Sequence, residues 1–224
     1  MMASNTKDGI TIRIMTQEDY KNVKAFMKDD FFTSEPLCQA SGETSVHRQN
    51  EEENDKYHLS MIAQGTCLVA LDENNGGRLV GFVLAGAQYP EDIEKHRIEA
   101  DAMEKNVWGR IFVMLSKIER EANLFERFGI SKVLYSHITS VDTSMRGKGL
   151  GSRLAATLMD VGRSKGFPAM VAYCTSFFSA RQKEALGMQC IHSLTYADYK
   201  DDQGRPIFTP AAPNTMARVM AIKL

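Results

Sequence analysis

Six residues concentrate the chemistry this chain could do with an anion: Arg146-Gly147-Lys148-Gly149-Leu150-Gly151. The run follows a segment of strand character and opens one of helical periodicity, the setting in which a glycine-rich turn cradles phosphates. Missing side chains at Gly147, Gly149 and Gly151 let backbone N–H groups come close to a ligand. The helix N-terminus adds about half a positive charge, and Arg146 and Lys148 add whole ones. The spacing is not that of a Walker loop, because four residues do not lead into the Gly-Lys and no Ser or Thr follows Lys148. It also lacks the G-x-G-x-x-G order of a dinucleotide fingerprint. An anionic cofactor is the expected occupant.

The elements that must position this turn are readable around it. Lys132 to Val141 (KVLYSHITSV) is rich in β-formers, Gly149 to Lys165 carries Leu150, Leu154, Leu158 and Val161 on one helical stripe, and Ala169 to Cys174 is a short strand, together a β-α-β unit. Ser179 to Leu186 reads as a helix ended by Gly187, and two strands, Gln189–Tyr196 and Thr215–Ile222, flank a Gly/Pro-rich connection. At the other end Ile10 to Met15 alternates like a half-buried strand, and Thr16 with Asp19 resembles a capping box. The helix that follows carries Tyr20, Val23, Phe26 and Met27, and stops near Phe31–Pro36. Pro36 disfavours helical geometry at Glu35 and puts that residue on a helix end or loop. Residues 41–55 are polar and acidic and lead into an amphipathic helix through Tyr57, Met61 and Ile62. Cys67–Leu71 and Leu79–Ala85 form a hairpin around Asp72–Arg78, whose Asn-Gly is expected to supply the positive φ of the turn. From Glu91 to about Arg127 two helices are expected, broken near Trp108-Gly109.

Composition bounds the rest. At 224 residues with 43% hydrophobic and 25% charged residues the chain is long enough for a proper core. No composition break marks a boundary, so a single domain over 1–224 is expected. Lys+Arg 27 against Asp+Glu 28 leaves no global field for a polyanion, so nucleic acid is not an expected partner. No apolar run approaches the roughly 18–20 residues that span a bilayer, and no membrane association is expected. Cys38, Cys67, Cys174 and Cys190 are far apart without a Cys-x-x-Cys pair, and the opening MMASNTKDGITIR lacks an apolar stretch; reduced thiols in a cytoplasmic protein are the expectation. Thirteen methionines read as core filling, with some at 103–118 available to an adaptable pocket.

Arg146 to Gly151 fits R-x-x-G-x-G, and with its helix and following strand it resembles the acetyl-CoA pyrophosphate loop of the GNAT superfamily of N-acetyltransferases. The element order over most of the chain agrees. Phe31-Phe32-Thr33-Ser34-Glu35-Pro36-Leu37 resembles the F-F-x-x-E-P-L segment of insect arylalkylamine N-acetyltransferases, and Cys174 to Arg181 (CTSFFSAR) resembles their segment after the fifth strand. The resemblance implies an α/β fold, a twisted and largely antiparallel sheet flanked by helices. Strands 132–142 and 169–174 would be splayed to admit the pantetheine arm. It implies acetyl transfer from acetyl-CoA to the primary amine of an arylalkylamine (dopamine, serotonin, tryptamine, octopamine), with aliphatic amines such as agmatine or polyamines, or a non-catalytic acyl-CoA-binding module, as alternatives. Protein N-termini or lysines are a further alternative. A monomer is expected. Glu35 would be general base, with Ser179 and Ser176 in supporting roles near the thioester sulfur. Val141, Arg146, Gly147, Lys148, Gly149, Leu150, Gly151, Ser152 and Thr175 would hold the cofactor.

A primary amine with a pKa near that of lysine, about 10, is the free nucleophile in roughly one molecule per thousand at neutral pH, so a proton acceptor is required. A glutamate at its reference pKa of about 4.3 is a weak base, so Glu35 is expected to be strengthened by burial beside Phe31, Phe32 and Leu37 or to work through a water chain. A backbone N–H near Val141 would polarise the carbonyl. Beside these stand plainer roles. Glu35 reads equally as a residue at a helix terminus and Ser179 as the N-cap of Ala180–Leu186. His137 reads as a hydrogen-bonded interior histidine, and Cys38 and Cys174 as small buried apolar residues rather than nucleophiles. His47, His58, His96 and His192 show no ligand spacing, so no metal is expected.

Overall fold

A computed structural model of the chain describes residues 5–43 and 51–224. His47 and the polar stretch at 44–50 lie outside the described residues, as does the start of the chain at 1–4. Eight strands form one sheet: β1 (Asn5–Lys7), β2 (Ile10–Ile14), β3 (Leu68–Asp72), β4 (Arg78–Gln88), β5 (Val133–Val141), β6 (Ala169–Cys174), β7 (Gln189–Thr195) and β8 (Met216–Lys223). Their order is β1-β2-β3-β4-β5-β6-β8-β7. Every neighbouring pair is antiparallel except β5–β6, which is parallel because α8 (Leu150–Ser164) crosses over between them.

The parallel pair is joined only at Leu134–Met170 and Tyr135–Val171. Beyond those residues β5 turns to β4 alone and β6 to β8 alone, so the two central strands part toward their C-terminal ends, as the splay expected of them requires. The register between β4 and β5 slips at the same level, with Leu84 opposite Ile138 and Ala85 opposite Ser136. His137 is the extra residue of this bulge. A bulge resets the in-out alternation of a strand, which is why Tyr135 and Ile138 both join the core on one face while Leu134 joins the other.

The first face is covered by α1 (Tyr20–Phe26), α2 (Phe32–Ser34), α3 (Pro36–Ser41), α4 (Glu51–Ala63), α5 (Pro90–Asp101), α6 (Val107–Ala122) and α7 (Leu124–Phe128). Its core is built on Val23, Met27, Leu37, Phe82, Met114 and Ile118, all fully buried. The second face is covered by α8 and α9 (Phe177–Ala185), with Leu150, Leu154, Leu158 and Val161 packed on Val83, Met170 and Ala172. Truncating Leu154, which is fully buried, to alanine would cost about 2–5 kcal/mol through lost burial and the cavity left behind.

Four local expectations are corrected. The turn between β3 and β4 takes its positive φ from Gly76 and Gly77 (67° and 73°), while Asn75 closes a short 3₁₀ turn, because the connection is longer than a two-residue hairpin. Residues 90–128 form three helices, not two. The break comes at 102–106, before Trp108-Gly109, because Asn106 caps α6 through Gly109 N–H at 2.9 Å and Gly109 lies against the Glu104 carbonyl, where a Cβ would sit 1.8 Å from it. The last helix begins at Phe177, and its N-cap is Ser176, not Ser179. The first helix does not run evenly to its end: a wider π turn covers Met27–Phe31 between α1 and α2. The Thr16–Asp19 box forms as expected, Asp19 accepting from Thr16 N–H at 2.8 Å, and Arg13 beside it holds the Asp19 carboxyl at about 2.

Candidate active site

The gap between the parted ends of β5 and β6 opens into a cleft of about 980 Å³. Its walls are Phe31 to Gln39, Ser136 to Val141, the turn at 145–152, and Ala172 to Lys183. Glu35, Val141, Arg146, Gly147, Gly149, Leu150, Gly151, Ser152, Thr175, Ser176 and Ser179 all line it, so residues from four separate stretches of sequence meet in one place. Of the residues singled out in the sequence, Lys148 is outside this lining, exposed on the turn. A shallower hollow of about 710 Å³ at Tyr89, Gly129, Lys132 and Gly166 has neither a glycine-rich helix start nor this convergence.

The turn before α8 is built to leave its donors bare. Gly147 and Gly149 take φ of 73° and 78°, a region that costs an L-residue about 1–2 kcal/mol. Gly149 is the N-cap of α8 and offers no side chain to the helix end. The first backbone bond into the helix is Arg153 N–H to Gly149 C=O at 3.1 Å, and no protein acceptor among the described residues takes the N–H groups from Gly147 to Ser152. An array of unsatisfied N–H groups at a helix N-terminus is an anion site. Gly151 is needed for a different reason: a Cβ there would lie 2.1 Å from Gln182 Nε2 on α9.

Arg146 is anchored across the cleft. Its Nε donates to Val141 C=O at 3.0 Å and its Nη2 to Asp30 Oδ1 at 2.7 Å and Ser34 Oγ at 3.0 Å. Thr143 Oγ1 also donates to Asp30, at 3.3 Å. Asp30 sits in the π turn, whose extra residue re-aims the side chains that follow. No local pattern signals this tie, because the partners are more than a hundred positions apart.

Glu35 ends α2 and caps α3, with extended backbone (φ −68°, ψ 125°) as Pro36 demands. It is 6% exposed. One carboxylate oxygen accepts from Cys38 N–H at 2.8 Å, and the other, Oε1, is buried with no partner among the described residues. A buried carboxylate oxygen without a donor is costly to leave so, and its place on the cleft wall gives it somewhere to take a proton from. Phe31 packs edge-on to Phe32, and Phe32 to Trp108 at 4.8 Å. Glu43 Oε2 accepts from Val107 N–H at 3.0 Å and Oε1 from Arg110 at 2.6 Å, which ties the segment after α3 to the start of α6. Tyr196, missed in the sequence, lies near enough for the Glu35 charge to act on it after burial has raised its phenol; its hydroxyl donates to Thr175 C=O at 2.6 Å.

On the α9 side the hydroxyls serve one another. Ser176 Oγ accepts from Ser179 N–H and donates to Ser179 Oγ, both at 3.0 Å, while Ser179 Oγ donates to Ser176 C=O at 3.0 Å. Asn214 Oδ1 accepts from Phe177 N–H at 2.9 Å. Side chains seal this helix start at two of its first three N–H groups.

His137 is half-buried on the cleft wall and hydrogen-bonded through Nδ1 to Tyr135 Oη at 3.0 Å, as expected of an interior histidine. Tyr135 packs on Tyr173 with ring centroids 5.2 Å apart, and Tyr173 Oη donates to the buried Glu119 at 3.3 Å. Glu119 also takes Gln88 and His96 Nδ1, the latter at 2.9 Å. Burial alone would lower His96, but the hydrogen bond and charge of Glu119 outweigh it and raise its pKa. Cys38 and Cys174 are buried and outside any disulfide, and burial pushes the Cys174 thiol up, away from the character of a nucleophile. Among the described residues no group of three or more His, Cys, Asp or Glu stands together as a metal site, and no helix is long and apolar enough to cross a membrane.

Solved structures share this fold. The mosquito arylalkylamine N-acetyltransferase like 5b is 30% identical with a TM-score of 0.83 over 96% of this chain and 100% of its own. The Drosophila melanogaster polyamine N-acetyltransferase, which catalyses the formation of N-acetylagmatine, is also 30% identical, with a TM-score of 0.82 over 96% and 100%. Arylalkylamine N-acetyltransferase 2 from Aedes aegypti is 28% identical with a TM-score of 0.86 over 96% and 99%. Residues 34–183, which run from the Glu35 segment through the glycine turn to α9, match the family model of the acetyltransferase (GNAT) family, and the chain belongs to that family.

Proposed function

We propose that this acetyltransferase moves an acetyl group from acetyl-CoA to the primary amine of an arylalkylamine of the dopamine, serotonin, tryptamine or octopamine class, acting as one domain over residues 1–224. The observation that carries the reading is Glu35: a buried carboxylate on the cleft wall with one oxygen held by Cys38 N–H and the other without a partner. Acetyl-CoA supplies an acyl group already activated as a thioester, so the protein needs no nucleophile of its own. The bare N–H groups of Gly147 to Ser152, with Arg146 and Lys148, suit its pyrophosphate, and Val141 and Thr175 flank the path of its arm.

Glu35 Oε1 takes the proton from the amine, directly or through a water, as the nitrogen attacks in a ternary complex. The Cys38 N–H holds the carboxylate in place, so no reorganisation is needed at that moment. The backbone N–H near Val141 polarises the carbonyl, and Ser179, held by Ser176, stands by the sulfur. An aromatic acceptor is supported by the Phe31, Phe32 and Trp108 cluster beside Glu35. Among the described residues lining the cleft Glu35 is the one carboxylate, which leaves no second acid for the far end of a polyamine.

The test is thiol release from acetyl-CoA by the purified protein with tryptamine, dopamine, serotonin, histamine, agmatine, spermidine and a lysine peptide. The expected result is kcat/KM highest for the aromatic amines. Turnover confined to agmatine or spermidine would move the acceptor to the aliphatic class, and turnover confined to the lysine peptide would move it to protein. Binding of acetyl-CoA without turnover would overturn the enzyme reading.

A further inference from the structure

Lys183 is a buried cation that the mechanism above does not use. It is 3% exposed, lines the cleft, and follows Ser179 by four residues, so both side chains project from the same face of α9. A buried ammonium is costly unless an anion or several acceptors stand against it. Its one polar contact among the described residues is Gln182 Oε1 at 3.5 Å, longer than a good hydrogen bond, and no carboxylate there bridges it. The neighbouring acid on its helix, Glu184, is paired with Arg181 at 2.8 Å. The charge is felt on the Cys174 wall: burial raises the Cys174 thiol, and the largest opposing influence on it is the Lys183 ammonium, ahead of the Ser179 hydroxyl.

The two serine hydroxyls on this wall are engaged with each other. Ser176 gives its hydrogen to Ser179 and Ser179 gives its own to the Ser176 carbonyl. The ammonium has three hydrogens and no strong acceptor. We propose that Lys183 is a catalytic residue that holds the departing thiolate of coenzyme A, its Nζ forming an ion pair with the sulfur as the thioester breaks. The balance is simple. The amine nitrogen bonds to the acetyl carbon, the carbon–sulfur bond breaks with its electron pair left on sulfur, the amine proton goes to Glu35, and the thiolate leaves against the Lys183 ammonium. The cleft lining around it brings Cys174 on β6, Gln182 and Arg181 on α9, and Arg146 and Glu35 on other walls, while Arg218 on β8 also acts on the Cys174 thiol. Arg181 is paired with Glu184 and Arg146 with Asp30, so on this wall the cations that act on the Cys174 thiol are Lys183 and Arg218, which favours a thiolate there.

The inference rests on acetyl-CoA being the acyl donor, but its test needs no amine. The thiol of bound coenzyme A is titrated by the ultraviolet absorbance of its thiolate, with the desulfo-coenzyme A complex subtracted to cancel the protein's own cysteines. In the wild type the bound thiol is expected to ionise at least one pH unit below a free thiol, whose reference is about 8.5. Lys183→Met is expected to return it toward that value and to cost about tenfold in the preference for coenzyme A over desulfo-coenzyme A, one pH unit being a factor of ten. Lys183→Arg is expected to keep most of both, and with a working amine Lys183→Met lowers kcat more than it raises KM. Equal weakening of coenzyme A and desulfo-coenzyme A in Lys183→Met would assign the ammonium to the phosphates and overturn the proposal. So would an unshifted thiol in the wild type, a result that does not depend on any variant folding. Failure of every amine in the panel with the thiol shift intact would instead count against the proposed function and leave the thiolate site standing.

Discussion

Two helices begin on the same cleft with opposite endings. At α8 the cap is Gly149, no side chain meets the helix end, and the N–H groups from Gly147 to Ser152 face outward. At α3 the cap is Glu35, which spends one oxygen on Cys38 N–H and keeps the other for the cleft. The first end presents donors to an anion, and the second converts its cap into an acceptor. A helix N-terminus is therefore not a site by virtue of being one: what the capping residue does with the orphan N–H groups decides whether the end attracts a phosphate or carries a base. The start of α9 shows the third outcome, in which side chains of Asn214 and Ser176 take the Phe177 and Ser179 N–H groups.

The contrast can be broken most sharply at Glu35. Glu35→Gln keeps an oxygen for the Cys38 N–H and removes the base, so kcat/KM should fall by about 10²–10⁴ while acetyl-CoA affinity, measured by calorimetry, stays within a factor of two or so. A rate equal to wild type across pH 6 to 9 would remove Glu35 from the mechanism. Gly149→Ala should show the reverse pattern. Its φ of 78° makes an alanine cost about 1–2 kcal/mol, so the Kd for acetyl-CoA should rise about tenfold with kcat little changed.

The sealed end provides the control. Ser176→Ala removes the cap of α9 and should cost about 1 kcal/mol of stability, read as a Tm lower by about 2–4 °C, without the loss of cofactor affinity that Gly149→Ala brings. The smallest effect is expected at Asp30, whose 2.7 Å bridge to the half-exposed Arg146 competes with any phosphate for the same guanidinium. Asp30→Asn should tighten acetyl-CoA by up to about fivefold, the worth of a surface ion pair, and a weaker complex would mean that the bridge positions Arg146 instead.

Much of this was legible in the sequence where the information is local. The R-x-x-G-x-G turn, the leucine stripe of α8 and the Thr16–Asp19 box each depend on residues within a turn or two of one another, and each formed where the spacing put it. Pro36 fixed the backbone of Glu35 for the same reason. Ser179 was misplaced as a cap because serine suits either position, and only the start of the helix at Phe177 selects Ser176. The break in the 90–128 helices was misplaced because the Gly109 signal comes from close packing on Glu104 rather than from a turn.

By itself the sequence determined most of the element order, the glycine-rich turn before α8 and the family. Short-range sterics and hydrophobic periodicity suffice for those. Only the tertiary structure decided which charges meet: Asp30 with Arg146, Glu119 with His96 and Tyr173, and Lys183 with the wall of Cys174 and Ser179. Partners far apart in the chain are brought together by the parting of β5 and β6, and burial then sets how strongly each charge acts on the others, neither of which is encoded in any one stretch of residues.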